Sequence, residues 1–185
     1  VLSRAACELG GDRAKDDSPK DLKGRLEIAV RPAAQKVTPG GTVDIYVSFT
    51  NKGKGVLPLQ FVVNPLPRFE IEAFDQKERR VDEPKGGHPP WPGGKEPPAA
   101  EEKISEIRLP ENGTGRVVLQ WTAARSRWAP EKAKGVGIGG SYPKAAGAPL
   151  PKGKYTLRIV TPLTRVFEGA EREVTAPKVT IEVGK

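Results

Sequence analysis

The chain predicts an all-β antiparallel sandwich, and three observations carry that prediction. In Thr42–Thr50, Val43, Ile45, Val47 and Phe49 alternate with Asp44, Tyr46, Ser48 and Thr50. That period of two describes a strand with one face in a core and the other in water. The same alternation recurs in about eight short segments, and no stretch carries convincing helical spacing. Turn residues punctuate the segments: 21 Gly and 19 Pro among 185 residues, short of the roughly 25–30% that marks a disordered chain.

The elements follow in order. Leu26, Ile28 and Val30 alternate in a first strand ending at Pro32, and Pro39-Gly40-Gly41 turns into the Thr42–Thr50 strand. Leu57, Leu59, Phe61 and Val63 form the next, with Pro58 placing it at a sheet edge. Phe69, Ile71 and Ala73 continue, and Phe74 breaks the alternation, which predicts a bulge. Ser105, Ile107 and Leu109 lead into Glu111-Asn112-Gly113, and Val117, Leu119 and Trp121 follow. Asn-Gly between alternating strands predicts a tight hairpin. Tyr155, Leu157 and Ile159 make another strand, and Val179, Ile181 and Val183 the last.

The length suits one domain and a tail, since a sandwich needs roughly 100 residues. Residues 1–23 form the tail: five basic and five acidic residues cancel, and little is apolar after Leu9. Residues 24–185 form the domain. No run reaches the ~18 apolar residues of a membrane-crossing helix. One Cys excludes an internal disulfide, and one His leaves any zinc site dependent on carboxylates. Met is absent, at position 1 included, which predicts that the numbering starts downstream of the natural start. Cys7, within Ala5-Ala6-Cys7, reads either as the acylated residue of a lipid-anchored envelope protein with residues 8–23 as spacer or as an ordinary free thiol in a tail. Arg4 departs from the usual apolar position of that signal.

The length beyond a minimal sandwich lies in two insertions, 82–103 and 125–154. The first holds Gly86-Gly-His-Pro-Pro-Trp-Pro-Gly-Gly94; the second holds Trp128, Gly135-Val-Gly-Ile-Gly-Gly140 and Tyr142-Pro143. Loops this long are often functional. The strands flanking Asn112-Gly113 are expected to pair as a hairpin, so both insertions leave the sandwich at one end, where they can build one surface. The second insertion carries Arg125, Arg127, Lys132, Lys134, Lys144, Lys152 and Lys154 against Glu131 alone, in a chain of net charge +8. That excess suits an anionic polymer or lipid headgroups, with Trp91, Trp128 and Tyr142 as stacking surfaces beside Arg125 and Arg127. The alternative is that the three rings plug the open end of the core while the charges stay solvated.

Several motifs fail on context. Gly135-x-Gly137-x-x-Gly140 lacks the preceding apolar strand and following helix of a dinucleotide site. Asn112-Gly-Thr114 matches a glycosylation acceptor, which the turn already explains. His88 and Ser141 have no nucleophile pattern around them. Glu70 and Glu72 read as the solvated face of a strand. No residue set calls for a cofactor or a metal.

Thr50-Asn51 closing one strand and Pro151-Lys-Gly-Lys-Tyr155 opening another resemble the bacterial immunoglobulin-like domain of the intracellular proteinase inhibitor family. Around Gln76-Lys77 the glycine of that family's middle signature is replaced. The resemblance covers about Val43 to Val160 and implies an immunoglobulin-like fold and protein binding. It transfers no functional residue. The expectation is a non-enzymatic protein-binding or scaffold domain of the bacterial cell envelope, acting through the insertion end or an edge strand. Polyanion binding by the 125–154 loop and proteinase inhibition are the alternatives.

Overall fold

A computed structural model of the chain describes residues 24–63, 69–99, 103–135, 141–160 and 176–184. Cys7 and the whole 1–23 stretch lie outside the described residues, as do 136–140 of the glycine run. The strands in chain order are β1 (Leu26–Pro32), β2 (Lys36–Val37), β3 (Thr42–Asn51), β4 (Leu57–Val63), β5 (Glu70–Phe74) and β6 (Lys103–Leu109). They continue with β7 (Thr114–Thr122), β8 (Ala124–Trp128), β9 (Lys144–Pro149), β10 (Gly153–Val160) and β11 (Val179–Val183). The only helical turns among the described residues are short 3-10 turns at Pro92–Gly94 and Pro130–Lys132.

One sheet has the order β1-β3-β7 and the other β2-β11-β10-β5, while β4-β6 and β8-β9 pair separately. Every pairing is antiparallel except β2 with β11. The neighbours β1-β3-β7 and β5-β10-β11 correspond to the A-B-E and C-F-G groupings of an immunoglobulin sandwich. Ile45, Val47, Leu57, Leu59, Leu157, Ile181 and Val183 are fully buried between the layers. Each such side chain stabilises by about 1.5–3 kcal/mol relative to exposure. Phe49, Phe61 and Phe69 add a ring cluster with centroids 5.9–6.4 Å apart.

Two steps noted in the sequence have structural causes. The Tyr155 hydroxyl, at the start of β10, donates to the Pro151 carbonyl at 2.8 Å, the tyrosine-corner bond of such sandwiches. Asn51 is fully buried at the end of β3. Its amide nitrogen donates to the carbonyls of Gly55 (2.7 Å), Leu109 (3.0 Å) and Pro110 (3.2 Å), and its oxygen accepts from Gly53 N–H at 3.0 Å. One side chain thus ties the β3–β4 connection to the β6–β7 connection.

That tie explains why the predicted hairpin across Asn112-Gly113 does not form. β6 pairs with β4 and β7 with β3, so the turn is an arch between sheets. The local turn is real: Gly113 N–H donates to Pro110 at 2.8 Å, and Asn112 takes φ 59°. A Cβ on Gly113 would sit 2.6 Å from the Pro110 ring. Local chemistry set the turn, but the pairing partners came from burial. The bulge expected at Phe74 is also absent, since β5 pairs with β10 in unbroken register through Phe74–Thr156. Phe74 instead faces outward beneath the Arg158 guanidinium, 5.5 Å from its ring centroid. A register shift occurs between Ala124 and Ser126, where a Cβ on Gly147 would lie 2.7 Å from the Arg125 carbonyl. The second insertion therefore begins in a β8–β9 ribbon, with the connection 129–143 between its two strands.

Candidate binding surfaces

The two insertions do meet, by a different route from the expected hairpin. Arg80 bridges to Phe74, Val81 N–H donates to Ala73 at 2.9 Å, and Ser126 N–H donates to Asp82 at 2.8 Å. The start of the first insertion is thereby laid along β5 and β8. Arg80 contacts Glu72 (2.8 Å), Asp82 (3.1 Å) and Glu83 (3.1 Å), and Glu83 reaches Lys144 of β9 at 3.8 Å. Glu72, which alternation placed on the solvated face, is buried between Arg80 and Arg158.

Beyond this ion network the aromatic residues form a second, smaller core. Trp91 and Tyr142 are buried with Ala133, and Trp128 packs against them. Tyr142 lies 4.8 Å from Trp91 and 5.7 Å from Trp128, centroid to centroid. His88 caps the cluster, stacked on Tyr142 at 4.7 Å with the rings 15° apart. Trp128 Nε1 donates to the Gly86 carbonyl at 3.1 Å, and Lys144 lies over its ring at 5.2 Å. The rings proposed as stacking surfaces thus face each other in a cluster of their own, separate from the main core whose open end the alternative had them plug. His88 Nδ1–H donates to the Pro89 carbonyl at 2.8 Å, and among the described residues no carboxylate orients it for base catalysis.

The predicted cations are partly occupied. Arg127 pairs with Glu131 at 2.7 Å. That hydrogen bond holds the Glu131 carboxyl below the ordinary carboxylate range and raises the Arg127 guanidinium. Arg125 is half-buried, while Lys132 and Lys134 are exposed on the turn after β8.

A second surface lies along β7; the sequence named an edge strand as a docking element but did not single out which one. Among the described residues β7 pairs only with β3, leaving its other edge unpaired. Hydrogen bonds at both ends define which groups face out. At one end Asn51 N–H donates to Gly113 and, at the other, Ala123 N–H donates to Gly41. Antiparallel partners exchange bonds at alternate positions, so the odd-numbered residues of β7 face β3. The backbone groups of Thr114, Arg116, Val118, Gln120 and Thr122 then point to the open edge.

A groove of about 620 Å³ runs along the second half of this edge. Val118 to Thr122 make one wall, Phe69 and Ile71 the floor end, and Ala124, Ser126 and Lys144–Ala146 the far wall. Edges usually carry protection in the form of charges, proline or cover. β6 has Lys103, Glu106 and Arg108, and the Arg80 segment covers β5. β7 has one charge, Arg116, in nine residues, and Val118 is 54% exposed.

No protein-family model and no curated protein matches the chain. Solved structures of a beta-glucosidase from Listeria innocua are similar at 12% identity. The glucose complex has a TM-score of 0.39 and the isofagomine complex 0.41. Each alignment covers 86% of this chain and 16% of the enzyme chain. The chain thus spans under a fifth of that enzyme's length, and a likeness this distant assigns it no activity.

Proposed function

We propose that this chain is a non-catalytic protein-binding domain whose docking element is the open edge of β7. The partner is an extended polypeptide segment that adds a strand. The carrying observation is the one-sided pairing of β7 among the described residues, beside a groove. A row of alternating N–H and C=O groups at strand spacing is best satisfied by another strand. The insertion end supports this reading less well, because Trp91, Trp128 and Tyr142 already pack on one another. Placement in the bacterial cell envelope rests on Cys7 and the polar 1–23 stretch. Mass spectrometry of the natural protein tests it by the presence or absence of an acylated Cys7.

Val118→Pro tests the docking edge. Its N–H faces outward, so proline removes an edge donor without removing a bond to β3. The expected result is an unchanged thermal transition with loss of strand docking. Docking that survives in the variant, with amide protection confined to 85–95 and 128–143, would move the function to the insertion end.

A further inference from the structure

We infer that the strand docking on β7 is β7 of a second copy of this chain, related by a two-fold axis through Val118. The inference rests on the reading of β7 as the docking edge and names its partner. The residue pattern is the first support. In an antiparallel pair centred on Val118, Thr114 stands opposite Thr122 of the second copy, Arg116 opposite Gln120, and Val118 opposite itself. No like charges meet in that register. Centring the pair two residues earlier would set Arg116 against its own copy, which opposes like charges directly. The backbone agrees, because the groups of Val118 point outward and the two copies exchange both bonds at the axis.

The existing cross-strand rows continue through such a pair. Thr42 and Thr122 hydroxyls lie 3.2 Å apart, and those of Thr50 and Thr114 lie 2.9 Å apart. Joining β7 to β7 aligns these two rows into one four-threonine row on each side of the axis. Gln120 donates to Asp44 at 3.3 Å, so Arg116 of the second copy arrives opposite Gln120 and one strand from a carboxylate. The central row is Arg31, Tyr46 and Val118, with Arg31 over the Tyr46 ring and both Tyr46 (40%) and Val118 (54%) exposed. Pairing covers Val118 with its own copy and yields a six-stranded sheet.

The test uses the full chain and two variants, Val118→Asp and Val118→Lys, with mass measured by light scattering from low to high micromolar concentration. The wild type is expected to reach twice the 19.9 kDa chain mass. Each variant alone is expected to stay monomeric, because the axis sets identical charges side by side. An equimolar mixture is expected to recover the double mass, since Asp then faces Lys. A wild type that remains monomeric throughout overturns the second-copy partner, and Val118→Pro then decides separately whether another polypeptide uses the edge. A dimer that persists in both single variants overturns the edge reading as well. Circular dichroism of each variant guards against simple unfolding.

Discussion

The insertion end and the β7 edge differ in what they leave unsatisfied: two buried side-chain atoms, Trp91 Nε1 and the Tyr142 hydroxyl, at the first, and a row of backbone groups at the second. The insertion end holds all the features that attract attention in a sequence: two tryptophans, a tyrosine, the lone histidine and a cluster of cations. Folded, it closes on itself. Its ring pairs lie within 6 Å, mostly edge-on or tilted, Arg127 turns to Glu131, and Lys144 sits between Glu83 and Trp128. The β7 edge is plain in composition, yet it keeps a row of backbone donors and acceptors without strand partners among the described residues. Side-chain richness marks where a loop needs its own core, and an unprotected backbone marks where a second chain fits.

Disrupting Asn51 breaks this contrast most severely, because Asn51 holds the arch that separates β6 from β7. Asn51→Ala leaves several carbonyls unpaired in a buried site, at about 1–3 kcal/mol for each unsatisfied group. A loss of about 3 kcal/mol in urea unfolding is expected, and a loss below about 1 kcal/mol would assign the arch to other contacts. Trp91→Ala comes next. Removing a buried tryptophan costs about 3 kcal/mol in a tight core. Here the cost is expected as local opening, seen as protease cleavage within 85–95 and 128–135, with β7 docking intact. Docking lost together with the aromatic cluster would merge the two regions into one site.

Tyr155→Phe has a smaller effect, about 1 kcal/mol for the lost bond to Pro151. Burial, aided by the nearby Asp75 carboxylate, raises the Tyr155 hydroxyl above its ordinary value. Its contribution is therefore complete below the unfolded value of about 10 and is lost as pH rises through the folded one. The variant is expected to lose part of the alkaline fall in stability, as read by thermal melts between pH 9 and roughly 11.5. The smallest effect belongs to Lys132→Ala with Lys134→Ala. These are exposed side chains, so stability is expected to change by under ~0.5 kcal/mol. Self-association is expected to be unchanged. Salt-sensitive retention on a polyanion column that disappears in this double variant would favour the charged turn as a binding surface.

Much of the sandwich was legible because burial follows alternation. Val43, Ile45, Val47 and Phe49 are all buried as the pattern requires, and so are Leu157 and Ile159. Pairing was less legible. Asn112-Gly113 specifies a turn, but whether its flanks pair depends on Asn51, which is 58 residues from Leu109, and on which sheet receives each apolar face. β8 and β9 were not legible because Ala-Arg-Ser-Arg-Trp and Lys-Ala-Ala-Gly-Ala-Pro carry too few large apolar residues to mark a buried face. Small residues there permit close approach instead. The meeting of Trp91, Trp128 and Tyr142 was readable as apolar rings needing cover. The open edge of β7 was not, since an unpaired edge is a property of topology and has no signature in composition. The Thr-x-Arg-x-Val-x-Gln-x-Thr symmetry acquires meaning only once the even-numbered residues are known to face outward.

Residue-resolved amide hydrogen exchange of the full chain, followed over a dilution series, tests the central claim most directly. In dilute solution the amides of Val117, Leu119 and Trp121 are expected to be protected by β3, while those of Arg116, Val118 and Gln120 exchange quickly. At high concentration the even-numbered set is expected to become protected, with no change at Trp91, Trp128 or Tyr142. Equal protection of odd and even amides at every concentration, or concentration-dependent protection confined to the insertion end, would contradict the β7 edge as the docking element.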